Sequence, residues 1–306
     1  MSETVKNEPC GVLVINKHKG VTSHDIVNKI RRLYGTKRVG HTGTLDPLAT
    51  GVLVVLVGRA AKASEYLVCD SKKYRATLRL GLTTDSEDIT GNILSETDDI
   101  PDFETVKKVC ERFVGNIKQI PPMYSALKVG GKKLVDLARE GKTVERQARD
   151  ITVFSMEITS TDKKTDYILD VNCSSGTYIR TLCADIGAAL GCGGVMAELE
   201  RRDAGGFVIE KSVTVDELEA MSDDEREALL APIETLFSDL PEVKIENFYE
   251  KLSRNGCEIY QKKIKTSFSV GERVKMMTKD GRFYALGEVR EYEEGSAIKA
   301  IKLFEL

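Results

Sequence analysis

Two stretches of the chain carry side chains whose types could do chemistry. GHTGTLDPLATGVL, residues 40–53, is dense in Gly and Thr and holds one aspartate, one histidine and no other ionisable group. The aspartate, Asp46, stands between Leu45 and Pro47, without the polar neighbours a solubilising carboxylate normally keeps. In one reading it caps a turn through backbone amides while Pro47 fixes the next φ. In the other it is a nucleophile or charge stabiliser in a dry pocket, where a desolvated carboxylate needs a cation to stay ionised. CSSGTYIRTLCADIG, residues 173–187, offers that cation: Arg180 sits just inside a helix start, beyond Gly176 and Thr177. Alone it reads as a surface arginine; opposite Asp46 it can make a bidentate, charge-assisted contact.

What the chain lacks narrows the reaction. There is no GxGxxG after a strand, no GxxxxGK[ST], no HExxH and no GxSxG. His18, His24 and His41 lack metal-ligand spacing. The seven cysteines (Cys10, Cys69, Cys110, Cys173, Cys183, Cys192, Cys257) are scattered and form no CxxC pair. Such usage points to reduced, mostly buried thiols in a cytoplasmic protein rather than to disulfides or a zinc site. A reaction run here is expected to need no metal, no cofactor, no fuel and no redox carrier. MSETVKNEPC has no signal-peptide apolar core, and no apolar run approaches the roughly 18 residues of a membrane helix. No membrane role is expected.

The 306 residues, 41% apolar, suffice for one large domain and a small one. GVLVIN (11–16) and VLVVLV (52–57) read as buried strands, so Asp46 lies on the loop entering the second. VTSHDIVNKIRRLYG reads as a helix capped by Thr22 or Ser23 and ended by Gly35. RAAKASEYLV is expected to be helical. KKYRATLRLG (72–81) alternates, placing Tyr74, Ala76, Leu78 and Leu80 on one face. TTDSEDITGN reads as a loop and 103–114 as a helix; Pro121-Pro122 and Gly130-Gly131 exclude a long helix between them. KKLVDLAREG is a short helix stopped by Gly141. ITVFSMEITS and YILDVNCSS alternate as strands, and GTYIRTLCADIGAALG runs from loop into helix.

TVDELEAMSDDEREALLAPIETLF suggests two short helices in a segment, 203–240, where 11 acidic residues outnumber 2 basic ones. Beyond Leu240 the pattern is β-rich, with Asp280-Gly281 as a two-residue hairpin turn. These elements predict a mixed α+β body over 1–238 and a small β domain over 241–306. The net charge is −3, yet residues 1–202 hold 30 basic against 26 acidic groups. That balance permits a polyanionic partner, because local patches set the field.

GHTGTLDPLATGVLVVLVGRAAK closely resembles the catalytic motif of the TruB family of tRNA pseudouridine synthases. GVLVINKHKGVTSHDIV, KKYRATLRLGLTTDSEDITG, IPPMYSALKVGGKKLVDLAREG and SSGTYIRTLCADIG also resemble that family's motifs, in its order, over roughly residues 10–205. Residues 241–306 resemble the PUA-like RNA-binding domain that ends bacterial members. The resemblance implies the pseudouridine synthase fold: a mixed, mainly antiparallel sheet flanked by helices, α+β in class, with a small C-terminal β domain. It also implies an isomerisation in which the ribose–N1 bond breaks, the uracil turns and C5 joins the same carbon. The implied substrate is the uridine at position 55 in the T-loop of tRNA, flipped from its stack at a cost of roughly a few kcal/mol. A cytoplasmic monomer with no obligatory protein partner is expected.

By the same resemblance, Asp46 falls on the family's catalytic aspartate and Arg180 on the arginine paired with it, where lysine would lose the planar fork. Tyr74 corresponds to the tyrosine that stacks on the target base, its hydroxyl a candidate to take the C5 proton; otherwise it is a core-facing strand residue. Tyr178 lines the same pocket or simply packs. Leu199, in MAELERRDAG, matches an apolar residue that walls the uracil. His41 occupies the vacated space or stacks on a flipped neighbour; its other reading is a turn histidine bonded to backbone. Lys17 and Lys128 are expected to contact phosphates. The family commonly has Asp-Lys-Pro where this chain has Asn16-Lys17-His18, which leaves that turn less rigid, and Glu200 sets negative charge near the expected RNA face. Three rivals stand beside this reading. A non-catalytic RNA-binding or tRNA-folding protein would lack the aspartate, arginine or tyrosine. A glycosidase-like hydrolase would need two flanking carboxylates. A guide-RNA-dependent pseudouridine synthase fits the acidic 203–240 segment and short tail less well.

Overall fold

The run VLVVLV is apolar on both faces, as a strand covered on both sides must be, and it lies inside the large sheet, next to one edge. The computed structural model describes residues 8–67, 71–125 and 127–304, without the side chains of Lys128 and Lys133. Thr50–Val57 pairs antiparallel with Gly11–Lys17 and, over Glu200 and Arg201, parallel with Gly194–Ala204. Beyond Gly194–Ala204 follow Ser71–Leu80, Asp166–Ser174, Arg149–Ser160 and Gly115–Gln119, each antiparallel to its neighbour. Short strands Val39–His41 and Phe207–Val208 attach to Thr50–Val57 and Gly194–Ala204. The sheet is therefore mixed and mainly antiparallel, flanked by helices.

Strand alternation divides the burial into two cores. Leu13, Ile15, Leu53, Val55, Ala76 and Leu78 pack under helices Ser23–Leu33, Phe103–Glu111 and Ile179–Leu190. Val12, Val52, Val54 and Leu56 face the other way, against Ala60, Phe207, Ile233 and Leu236. Tyr74, Ala76, Leu78 and Leu80 are all buried on one face of Ser71–Leu80. Thr22, not Ser23, caps the first helix, in a reciprocal box with Asp25. Ser23 is freed for another task, described below.

Several elements differ from the sequence-based expectation. Gly58–Glu65 is a 3-10 helix rather than an α-helix; Gly58 turns the chain at φ +63, where an added Cβ would lie 2.2 Å from the Pro9 carbonyl oxygen. TTDSEDITGN is not all loop: Leu82–Thr84 and Ile93–Glu96 pair around it. Gly115–Gln119 and Gly194–Ala204 are further strands; in the first Ile117 is the one apolar residue, and in the second charged residues fill both faces after Leu199. Two short helices, Val215–Ala220 and Asp223–Ala228, do form in the acidic segment.

A second, five-stranded sheet runs in the order Glu242–Lys244, Arg273–Met277, Phe283–Tyr292, Gly295–Leu303, Ile259–Tyr260. Helices Asn247–Arg254 and Gln261–Ile264, hidden in the polar stretch 247–264, accompany it. Asp280-Gly281 does turn a hairpin, but not a two-residue one: the connection spans 278–282, because the Thr278 hydroxyl accepts from the Arg282 amide and widens the turn. The ring of Phe237, at the end of Ile233–Phe237, meets Phe283 and Phe304 at 5.9 and 5.8 Å, with Ala63 and Met277 beside them. This aromatic cluster seats the C-terminal β domain on the body.

Candidate active site

The loop bearing Asp46 is held at several points. The buried Ser23 hydroxyl both accepts from the Leu45 amide at 2.8 Å and donates to the Leu45 carbonyl at 3.0 Å. Gly20 donates to the Pro47 carbonyl, and the Ala49 amide closes a turn on the Asp46 carbonyl with Pro47 second in it. Asp46 thus opens a turn with its main-chain carbonyl, not by capping it with the side chain. Its carboxylate is used differently.

Asp46 Oδ2 lies 3.0 Å from Arg180 Nε, and Oδ1 accepts from Nη2 at 3.3 Å, a side-on fork. Arg180 is only 6% exposed and stands in the first turn of Ile179–Leu190, where the helix dipole disfavours a cation. The structure compensates with more acceptors. Nη2 donates to the Tyr124 carbonyl at 2.7 Å and Nη1 to the Ser86 carbonyl at 3.3 Å, and Asp88 Oδ2 lies 3.6 Å from Nη1. One guanidinium therefore serves two carboxylates. Asp88 is itself fixed by Ser86 and by the amide and hydroxyl of Thr90. Burial pushes the Asp46 pKa above the ordinary carboxylate value, Asp88 adds to that rise, and Arg180 and Lys17 oppose it.

The ion pair opens onto a cleft of about 420 Å³, within the size range of small-ligand sites. Tyr74, Tyr124, Ser125, Tyr178 and Leu199 line it with Asp46 and Arg180. Tyr74 is 8% exposed; burial raises its phenol pKa, and the Arg201 guanidinium beside it opposes the rise. The Tyr178 backbone is gripped by the buried Gln119 carboxamide, which accepts from its amide and donates to its carbonyl. Ser125 adds a buried hydroxyl with no partner among the described residues. A larger cleft of about 800 Å³ beside the first helix carries charges that pair among themselves, Lys29 with Glu219 and Arg226 with Asp223. It offers no comparable reactive group.

Asp46, Arg180, Tyr74, Tyr178 and Leu199 are thus brought together from four separate stretches of chain. His41 is half-buried at the end of Val39–His41 and does not line this cleft; burial and Arg201 lower its pKa, so its ring is neutral at neutral pH. The phosphate role expected of Lys17 is corrected: its side chain is fully buried, and Nζ donates to the His18 and Val21 carbonyls at 3.0 and 2.9 Å. Burial lowers its pKa to about 8, while Asp46 pulls it back up. The side chain of Lys128 lies outside the described residues. Asp88, Gln119 and Arg201 were not foreseen. For Arg201 a signal existed, since period-2 alternation from Leu199 turns it inward; for Gln119 none did.

Comparison with known proteins then identifies the class. The model of the TruB family pseudouridylate synthase N-terminal domain matches residues 31–179, and that of the tRNA pseudouridylate synthase B C-terminal domain matches 180–238. The fold is that of a pseudouridine synthase, and the class is an isomerase. The chain belongs to the TruB family. It is 44% identical over 250 residues to tRNA pseudouridine synthase B of Alkaliphilus oremlandii (strain OhILAs), covering 82% of this chain and 83% of that one. It is 40% identical over 291 residues to the protein of that name from Francisella philomiragia, covering 94% and 93%. A chain in the crystal structure of a Cbf5-Nop10-Gar1 complex superposes with a TM-score of 0.74 at 27% identity, over 96% of this chain and 85% of that chain.

Proposed function

We propose that the chain isomerises uridine to pseudouridine at position 55 in the T-loop of tRNA, with Asp46 as the catalytic group. The observation that carries this reading is the Asp46–Arg180 fork at the mouth of a cleft walled by Tyr74 and Leu199. In the reaction the C1′–N1 bond breaks, the C1′–C5 bond forms, C5 loses a proton and N1 gains one. Atoms and electrons balance, so neither cofactor nor metal is called for. Asp46 acts ionised, attacking the ribose, attacking the base or removing a ribose proton. Arg180 and the buried Lys17 hold its charge against desolvation.

The uridine enters the cleft flipped from its stack. The Tyr74 ring stacks on the base, and its oxygen, as the phenolate that Arg201 favours and burial resists, takes the C5 proton. Leu199 and Tyr178 wall the uracil, and the neutral His41 ring stacks on the opened RNA as RNA-reading aromatics do. The β domain over 241–306 binds the RNA in PUA-like fashion, and the enzyme works in the cytoplasm as a monomer without an obligatory partner. No helix of the described residues is long and apolar enough to cross a membrane.

The test is tritium release from [5-³H]uridine-labelled T-stem-loop RNA by purified protein alone. One release per RNA, lost when position 55 is cytidine, is expected. No release without an added guide RNA would favour the guide-dependent rival. Tight binding with no release under any condition would favour the non-catalytic one.

A further inference from the structure

Arg201 is 1% exposed and lies outside the lining of the catalytic cleft, yet it stands between the loop that carries Asp46 and the strand that carries Tyr74. Nε donates to the Val52 carbonyl at 2.7 Å, Nη2 to the Gly43 carbonyl at 3.0 Å and Nη1 to the Thr44 carbonyl at 3.4 Å. Gly43 and Thr44 lead directly into Leu45 and Asp46, and Val52 is in the strand that follows. Tyr74 is its cross-strand neighbour, close enough for the Arg201 charge to act on the phenol. A buried guanidinium is usually met by a carboxylate. Among the described residues Arg201 pairs with none, so carbonyl dipoles are what answer its charge.

We propose that Arg201 is a positioning residue for the isomerisation, fixing the approach of Asp46 through the loop carbonyls and setting its charge beside the Tyr74 hydroxyl, without touching RNA. This rests on the functional reading of Asp46 and Tyr74 given above. The fork is what the site requires: three carbonyls in different directions are beyond the reach of one ammonium. The surroundings leave it no freedom to move. An added Cβ on Gly51, at φ +95, would fall 2.2 Å from the Arg201 carbonyl oxygen, so loop and strand interlock at this residue. The uncancelled charge also lowers the pKa of Lys17 and His41 and favours the Tyr74 phenolate.

The experiment compares Arg201→Lys and Arg201→Gln with wild type, alone and combined with Tyr74→Phe, by single-turnover tritium release against pH, RNA binding and thermal unfolding. Arg201→Lys is expected to lower the chemical rate about tenfold or more while leaving RNA Kd within about threefold. The limb of the pH profile that rises as a phenolate forms is expected to move to higher pH. The rate loss should be smaller on the Tyr74→Phe background than on wild type, the coupling that a shared network produces. A purely structural residue would lower the melting temperature with additive rate losses and an unshifted pH profile; that result overturns the proposal. If Arg201→Gln does not fold, Arg201→Lys, which keeps the charge, decides. An inactive Asp46→Asn beside a fully active Arg201→Lys sinks this inference alone, whereas an active Asp46→Asn sinks the functional reading beneath it.

Discussion

Replacing Arg180 by lysine keeps a positive charge at the site and removes the fork, so it isolates what the geometry contributes. Arg180 reaches Asp46 by two contacts, 3.0 and 3.3 Å long, and also holds the Tyr124 and Ser86 carbonyls. An ammonium reaches one carboxylate oxygen and leaves most of those acceptors without a donor. A hydrogen bond to a charged group contributes about 1.5–3 kcal/mol. The Asp46 side chain is 36% exposed, so water screens part of the loss and the lower end applies, about 1.5 kcal/mol or roughly tenfold in rate. The sign of the pH effect follows from burial, which already raises the Asp46 pKa, and from Arg180, which opposes that rise. With the opposition weakened, the pKa climbs further and the ionised form returns only at higher pH. Single-turnover tritium release by Arg180→Lys should therefore be down about tenfold or more near neutrality, with the deficit shrinking as pH rises. A wild-type rate with an unmoved acidic limb would refute the ion-pair role.

Tyr74→Phe keeps the ring and deletes the hydroxyl: RNA Kd should stay within about threefold while the chemical rate falls by about two orders of magnitude, as for loss of a general base. Near-normal turnover would restrict Tyr74 to stacking. Gly51→Ala forces an L side chain to φ +95 against the Arg201 backbone, and should cost at least about 2 kcal/mol in urea unfolding, with activity falling in step. Lys17 titrates in the fold at about 8, against 10.5 in the unfolded chain. Between those values the unfolded chain binds a proton that the fold does not. Wild-type stability should therefore rise from pH 8 to 10.5 relative to Lys17→Met, and a constant difference in urea unfolding would contradict it.

Most of what positions the site is legible along the chain, because the elements are locally determined. The double-sided apolarity of VLVVLV, the alternation around Tyr74 and the Thr22 box each require only neighbours in sequence. The pairing of Asp46 with Arg180 could be suggested from a lone carboxylate and a lone cation, since each needs the other once dry. Asp88 and Gln119 could not be read so. Asp88 looks like one more acidic loop residue until folding turns it toward Arg180, and Gln119 acts on a backbone group 59 residues away. Lys17 misleads for the opposite reason: a lysine suggests surface, and only the fold shows two carbonyls closing over its ammonium.

The most direct measurement is tritium release from [5-³H]uridine-labelled T-stem-loop RNA by Asp46→Asn, beside its affinity for the same RNA. Abolished release with Kd within about tenfold of wild type, ~1.4 kcal/mol, is expected of a carboxylate that does the chemistry and contributes little to binding. Retained release would contradict any catalytic role for Asp46.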